Sequence, residues 1–150
     1  SGRLHIDVLL PPNPMMAQVM RDKLAGCFVI RLRPPVDHAG MIGAMRQASL
    51  ILSDSGGVQE EAPALGVPLL VMRTKTERPE GVASGNMRLV GSSSERIAAE
   101  VTRLLDEPAT YADMAHPRLP YGDGHAAERI ANITLDWLSR QGRISERHIA

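Results

Sequence analysis

The sequence predicts an α/β domain built on a doubly wound parallel sheet. Two observations predict it: short apolar runs of strand length alternate with stretches whose apolar residues recur at helical spacing, and proline or glycine stands at most boundaries between them. Alternation of this kind implies parallel strands joined by crossover helices that cover both faces of the sheet. The 150 residues fit one domain, spanning 1–150, and 43% hydrophobic residues are enough for a core.

The elements follow in order. His5–Leu10 reads as a buried strand, stopped by Pro11-Pro12-Asn13-Pro14. Proline fits a first helical turn, and Met16, Val19, Met20 and Leu24 then share one helical face, with Gly26 placed to end the helix. Cys27–Leu32 is a second strand, with Cys27 expected as an inert core thiol. Asp37–Ala48 is a weaker helix and Leu50–Ser53 a short strand. A helix over Ser55–Leu65 carries Pro63, which should kink it. Pro68–Met72 is the next strand, Thr74–Pro79 a polar loop and Arg88–Val90 a short last strand. Ser92 and Glu95 form a capping-box pattern before Ile97, Val101, Leu104 and Leu105, and Pro108 ends that helix. Pro117–Gly124 is loop, with Asp123 as the expected cap of a long helix marked by Ala126, Ile130, Ile133, Trp137 and Leu138.

Composition excludes several function classes. Seventeen basic against seventeen acidic side chains leave no net charge, so no broad electrostatic footprint for nucleic acid or an anionic membrane exists. Aromatic residues, at 3%, do not suffice for base-stacking platforms. One cysteine, Cys27, excludes an internal disulfide framework and fits a reducing cytoplasm. No run approaches the roughly 18 apolar residues of a membrane span. Ser1-Gly2-Arg3 opens no signal-peptide pattern. The five histidines show no metal-ligand spacing, and no cofactor is expected.

The segment Ser53–Glu61 is the most informative. It joins a strand end to a helix start, the ligand edge of an open parallel sheet. Gly56 and Gly57 allow close backbone approach, while free N–H groups and the helix dipole favour phosphate. Ser55 either adds a hydroxyl donor or merely caps the helix. The pattern is neither Gly-x-Gly-x-x-Gly nor a P-loop, so nicotinamide and ATP sites lack their marks. Glu60 and Glu61 follow about 100° apart around the helix, so only one of them easily faces a ligand at its start. Arg78, after the next strand, could meet an anion or balance Glu77 or Glu80.

Asp54–Pro63, Leu65-Gly66-Val67-Pro68, Val71-Met72-Arg73, Thr76-Glu77-Arg78-Pro79-Glu80, Arg88-Leu89-Val90-Gly91 and Pro120-Tyr121-Gly122-Asp123-Gly124 together resemble the non-hydrolysing UDP-N-acetylglucosamine 2-epimerases, in the same order. The resemblance implies the Rossmann-like C-terminal half of a two-domain glycosyltransferase-B architecture, without its first strand or the N-terminal domain. It implies interconversion of UDP-N-acetylglucosamine and UDP-N-acetylmannosamine by elimination and re-addition of UDP. Ser55, Gly56 and Gly57 would hold the diphosphate, Glu61 would accept from the ribose hydroxyls and Arg78 would help fix the nucleotide. Glu60 would matter little. It further implies a cytoplasmic homodimer in cell-surface polysaccharide biosynthesis, and an inactive isolated chain. The sequence departs from the family at Pro11, where a histidine is usual, and at His38 and Met41, where a tyrosine and a phenylalanine are usual. A UDP-sugar transferase half and a non-catalytic nucleotide-binding relic are the alternative readings.

Overall fold

A computed structural model describes residues 4–141, so the opening Ser1-Gly2-Arg3 read above lies outside the described residues. The chain divides into two compact units between Gln47 and Ala48. In the first, β1 (Ile6–Leu9), α1 (Pro14–Leu24), β2 (Ile30–Arg33) and α2 (His38–Gln47) follow one another. The two strands are parallel, with Ile6 opposite Ile30 and Leu9 opposite Arg33. That register sets Asp7 beside Arg31, which donates from Nε and Nη2 at 2.7 Å each and holds the Asp7 carboxyl below the usual range. Asn13 caps α1 by accepting from the Met15 and Met16 amides, with Pro14 in the first turn where no donor is needed.

In the second unit, β3 (Ile51–Ser53), α3 (Gly56–Leu65), β4 (Leu69–Val71), α4 (Pro79–Ala83), β5 (Met87–Leu89), α5 (Ser94–Asp106), α6 (Pro108–Met114) and α7 (Ala126–Arg140) are arranged around a parallel sheet of order β3-β4-β5. Leu70, Val90, Leu104 and Met114 form its buried cluster, with Leu50, Met72, Ile97 and Val101 packed against it. Each such side chain contributes about 1.5–3 kcal/mol when fully buried. Asn86 is wholly buried and keeps its polar atoms satisfied. Its amide donates to the Met114 and His116 carbonyls at 2.8 and 2.7 Å, joining the end of α6 to the start of β5. Among the described residues no helix is long and apolar enough to cross a membrane.

The α/β class and the parallel strands are as expected, but the described strands pair in two sheets, one in each unit, rather than in one. Other readings need correction. The second strand starts at Ile30, because Gly26 (φ 82°) ends α1 and the Ile30 amide bonds back to the Cys27 carbonyl, folding Cys27–Val29 into a turn. Cys27 is therefore exposed, not a core thiol. Ser93, not Ser92, caps α5 by accepting from the Arg96 amide, which shifts the box by one residue and leaves Glu95 accepting from the Ser93 hydroxyl. Helices α4 and α6 were not expected; each begins at a proline that sequence reading took for a loop end or a stop. Asp123 does not occupy the cap of α7, which is His125; its carboxylate instead accepts from the His125 amide and from Arg129. On α7 the expected apolar face exists, yet Ile130, Ile133 and Trp137 are exposed.

Candidate functional site

Two loops at the C-terminal ends of β3 and β4 build the site. The first runs from Ser53 into α3. Ser53 Oγ accepts the Ser55 amide at 3.1 Å, and Ser55 is extended at the cap position with no capping bond from its hydroxyl. The first intrahelical bond is from the Gln59 amide to the Ser55 carbonyl, at 3.2 Å. The amides of Gly56, Gly57 and Val58 thus have no partner within the helix. No acidic residue stands in this first turn, so the positive end of the helix dipole is not offset there. Ser55 therefore holds the cap position while its hydroxyl makes no capping bond.

The second loop carries Arg78, at the start of α4. Its Nε donates to Glu60 Oε1 at 2.6 Å and its Nη1 lies 2.9 Å from Glu77 Oε1. The hydrogen bond that Arg78 donates to the Glu60 carboxylate raises the Arg78 pKa further. The guanidinium lies against Gly56: a Cβ there would stand 3.2 Å from Cζ and 3.3 Å from Nη2. At Gly57 the nearest contact would be Ser55 Oγ at 4.0 Å. Sequence reading paired Arg78 with Glu77 or Glu80; the structure selects Glu77 and adds Glu60. Glu61 is half-buried one position further round α3.

A buried amide joins the two loops. Gln59, fully buried, donates from Nε2 to the Ser55 carbonyl at 3.2 Å. Thr76 Oγ1 donates to Gln59 Oε1 at 2.5 Å and accepts the Arg78 amide at 3.1 Å. Tyr121 closes the arrangement from the loop before α7. Its hydroxyl accepts the Gly81 amide at 3.1 Å and donates to the Arg78 carbonyl at 3.4 Å. Burial raises the phenol's pKa, so it stays neutral and able to do both. Gly81 has no room for a side chain, since a Cβ would overlap the Met87 methyl and the Tyr121 hydroxyl. Sequence reasoning missed Gln59, Thr76 and Tyr121 because their bonds span 17 and 40 residues and leave no local signal. Tyr121→Phe is expected to lower stability by about 1 kcal/mol, the worth of a bond to a part-buried amide, read as a shifted urea midpoint at unchanged slope.

After β4 an open groove of about 350 Å³ is lined by Met72, Arg73, Thr74, Lys75 and Ser92, and by none of the expected site residues. Among the described residues no group of three or more His, Cys, Asp or Glu side chains could hold a metal ion.

Parallel strands whose C-terminal loops carry a glycine helix start and an arginine define an α/β domain with parallel sheets. The family model for UDP-N-acetylglucosamine 2-epimerase matches residues 3–135, and the chain belongs to that family. It is 46% identical over 132 residues to the UDP-N-acetylglucosamine 2-epimerase of Salmonella typhimurium, covering 87% of this chain and 35% of that protein. Among solved structures it is similar to UDP-GlcNAc 2-epimerase from Neisseria meningitidis bound to UDP-GlcNAc, with 39% identity, a TM-score of 0.82 and coverage of 88% and 36% of the two chains. The S. aureus MnaA–UDP co-structure matches with 34% identity, a TM-score of 0.84 and coverage of 97% and 38%. The chain spans about a third of the length of the curated relatives it matches.

Proposed function

We propose that this chain is the UDP-binding part of an enzyme that interconverts UDP-N-acetylglucosamine and UDP-N-acetylmannosamine by eliminating UDP and adding it back. The observation that carries the reading is the start of α3, where the amides of Gly56, Gly57 and Val58 lack helical partners beside the Arg78 guanidinium. Solved relatives that hold UDP or UDP-GlcNAc support it. In this reading the amides of Gly56 and Gly57 and the Ser55 hydroxyl donate to the diphosphate, and Arg78 adds a fixed positive charge. Glu61 accepts from the ribose hydroxyls. The sugar contacts and the acids that act at C2 come from outside these residues. A homodimeric, cytoplasmic full-length protein, with an N-terminal domain completing the cleft, belongs to the same proposal.

Calorimetric titration of the full-length protein with UDP, UMP and uridine tests it. UDP is expected to bind tightest, because only it spans the helix start with two phosphates. Glu61→Gln is expected to weaken UDP about tenfold, the loss of a charge-assisted bond. Equal affinity for UDP and uridine would remove the diphosphate from α3, and an unchanged Glu61→Gln protein would remove the ribose from Glu61.

A further inference from the structure

Glu60 lies one helical repeat beyond Gly56, so the two share a face of α3. Helical side chains lean toward the N-terminus, which carries the Glu60 carboxylate back toward a residue with no side chain. The Arg78 guanidinium fills the space that glycine leaves. The ion-pair contact to Glu60 is from Nε and that to Glu77 from Nη1, while Nη2 is the nitrogen 3.3 Å from where a Gly56 Cβ would stand.

We propose that Glu60 is a positioning residue for nucleotide binding: by accepting from Arg78 Nε it fixes the guanidinium over the first turn of α3, with Nη2 turned to the diphosphate. This rests on the reading that the diphosphate sits at that helix start. An arginine side chain has many rotamers, and one held in place before the ligand arrives loses less freedom on binding. The Arg78 side chain is 25% exposed, as befits one already ordered against the protein. The Glu60 carboxylate would also repel an anion. At 48% exposure its charge is screened by water and by its pairing with Arg78, so orientation outweighs repulsion.

The test is a double-mutant cycle in the full-length protein: wild type, Glu60→Ala, Arg78→Ala and the double variant, each titrated with UDP and with uridine. Displacement of a labelled nucleotide keeps weak binding measurable. Glu60→Ala is expected to weaken UDP about fivefold, to leave uridine unchanged and to add nothing once Arg78 is gone. Glu60→Gln, which keeps an acceptor oxygen, should lose less than Glu60→Ala. Tighter or unchanged UDP binding in Glu60→Ala overturns the proposal, as does the same loss in the Arg78→Ala background or an equal loss for uridine. Each of these can occur while the wild type still prefers UDP to uridine, in which case the diphosphate site stands and only the role of Glu60 falls. If the wild type shows no such preference, both fall together.

Discussion

Gly66→Ala is expected to destabilise the protein by about 2–5 kcal/mol. Gly66 ends α3 in the left-handed region, at φ 69° and ψ 28°, where its amide reaches the Ala62 and Pro63 carbonyls. A side chain there costs about 1–2 kcal/mol in backbone strain alone. Its Cβ would also stand 2.7 Å from Pro117 Cδ and 2.8 Å from Pro117 N. Those atoms belong to a ring and a backbone, and the next residue is pinned by the Arg118 amide bonding to the Pro63 carbonyl at 2.9 Å. Neither can yield as a flexible side-chain tip would, so overpacking adds about 1–3 kcal/mol. Equilibrium denaturation reads the difference. Gly43→Ala is the matched control: it lies inside α2 with open space around it, and should be neutral or stabilising by about 0.5–1 kcal/mol. Similar losses at both positions would show that the corner at Pro117 is not what requires glycine.

Gly56→Ala is expected to weaken UDP by about tenfold to a hundredfold, equivalent to roughly 1.4–2.7 kcal/mol, with stability nearly unchanged. The new methyl would sit 3.2 Å from Arg78 Cζ, on the surface where the diphosphate is proposed to lie. It displaces the arginine and blocks backbone approach at once, while alanine suits the first turn of a helix. Gly57→Ala should cost less, because the nearest described atom would be 4.0 Å away. UDP titration of both variants checks the ranking. Equal losses at the two positions, or none at Gly56, would separate the nucleotide from this turn.

Strands β3 and β4 and the junction between β3 and α3 were legible because each is announced within a few residues. Leu69–Val71 is an apolar run between Pro68 and a polar loop, and Ser55-Gly56-Gly57 sits at a strand-to-helix junction whose geometry follows from backbone chemistry alone. The short helices α4 and α6 were not legible, since a proline marks both the end of one element and the first turn of another. Cys27 was misread for a related reason. Its apolar neighbours Phe28 and Val29 suggested a strand, but the turn after Gly26 turns all three outward. The sequence places Ser55 and Gly56 after β3 and Arg78 after β4, as the structure does, but the partnership of Arg78 with Glu60 was not legible. It spans 18 residues and depends on which face of α3 the second loop crosses. Nothing in the sequence distinguishes Gln59 from another helix residue; its two bonds place it between the loops.

That buried amide changes how the ligand edge can fluctuate. The Ser55 carbonyl, Gln59, Thr76 and the Arg78 amide are joined in one unbroken run of hydrogen bonds. Releasing either loop exposes an unsatisfied amide inside the protein, so the two open as a single cooperative unit rather than as independent hinges. A nucleotide bound at this edge, as proposed, would therefore meet a surface whose ordering entropy was already spent during folding, and binding would draw on that earlier expenditure instead of repeating it loop by loop.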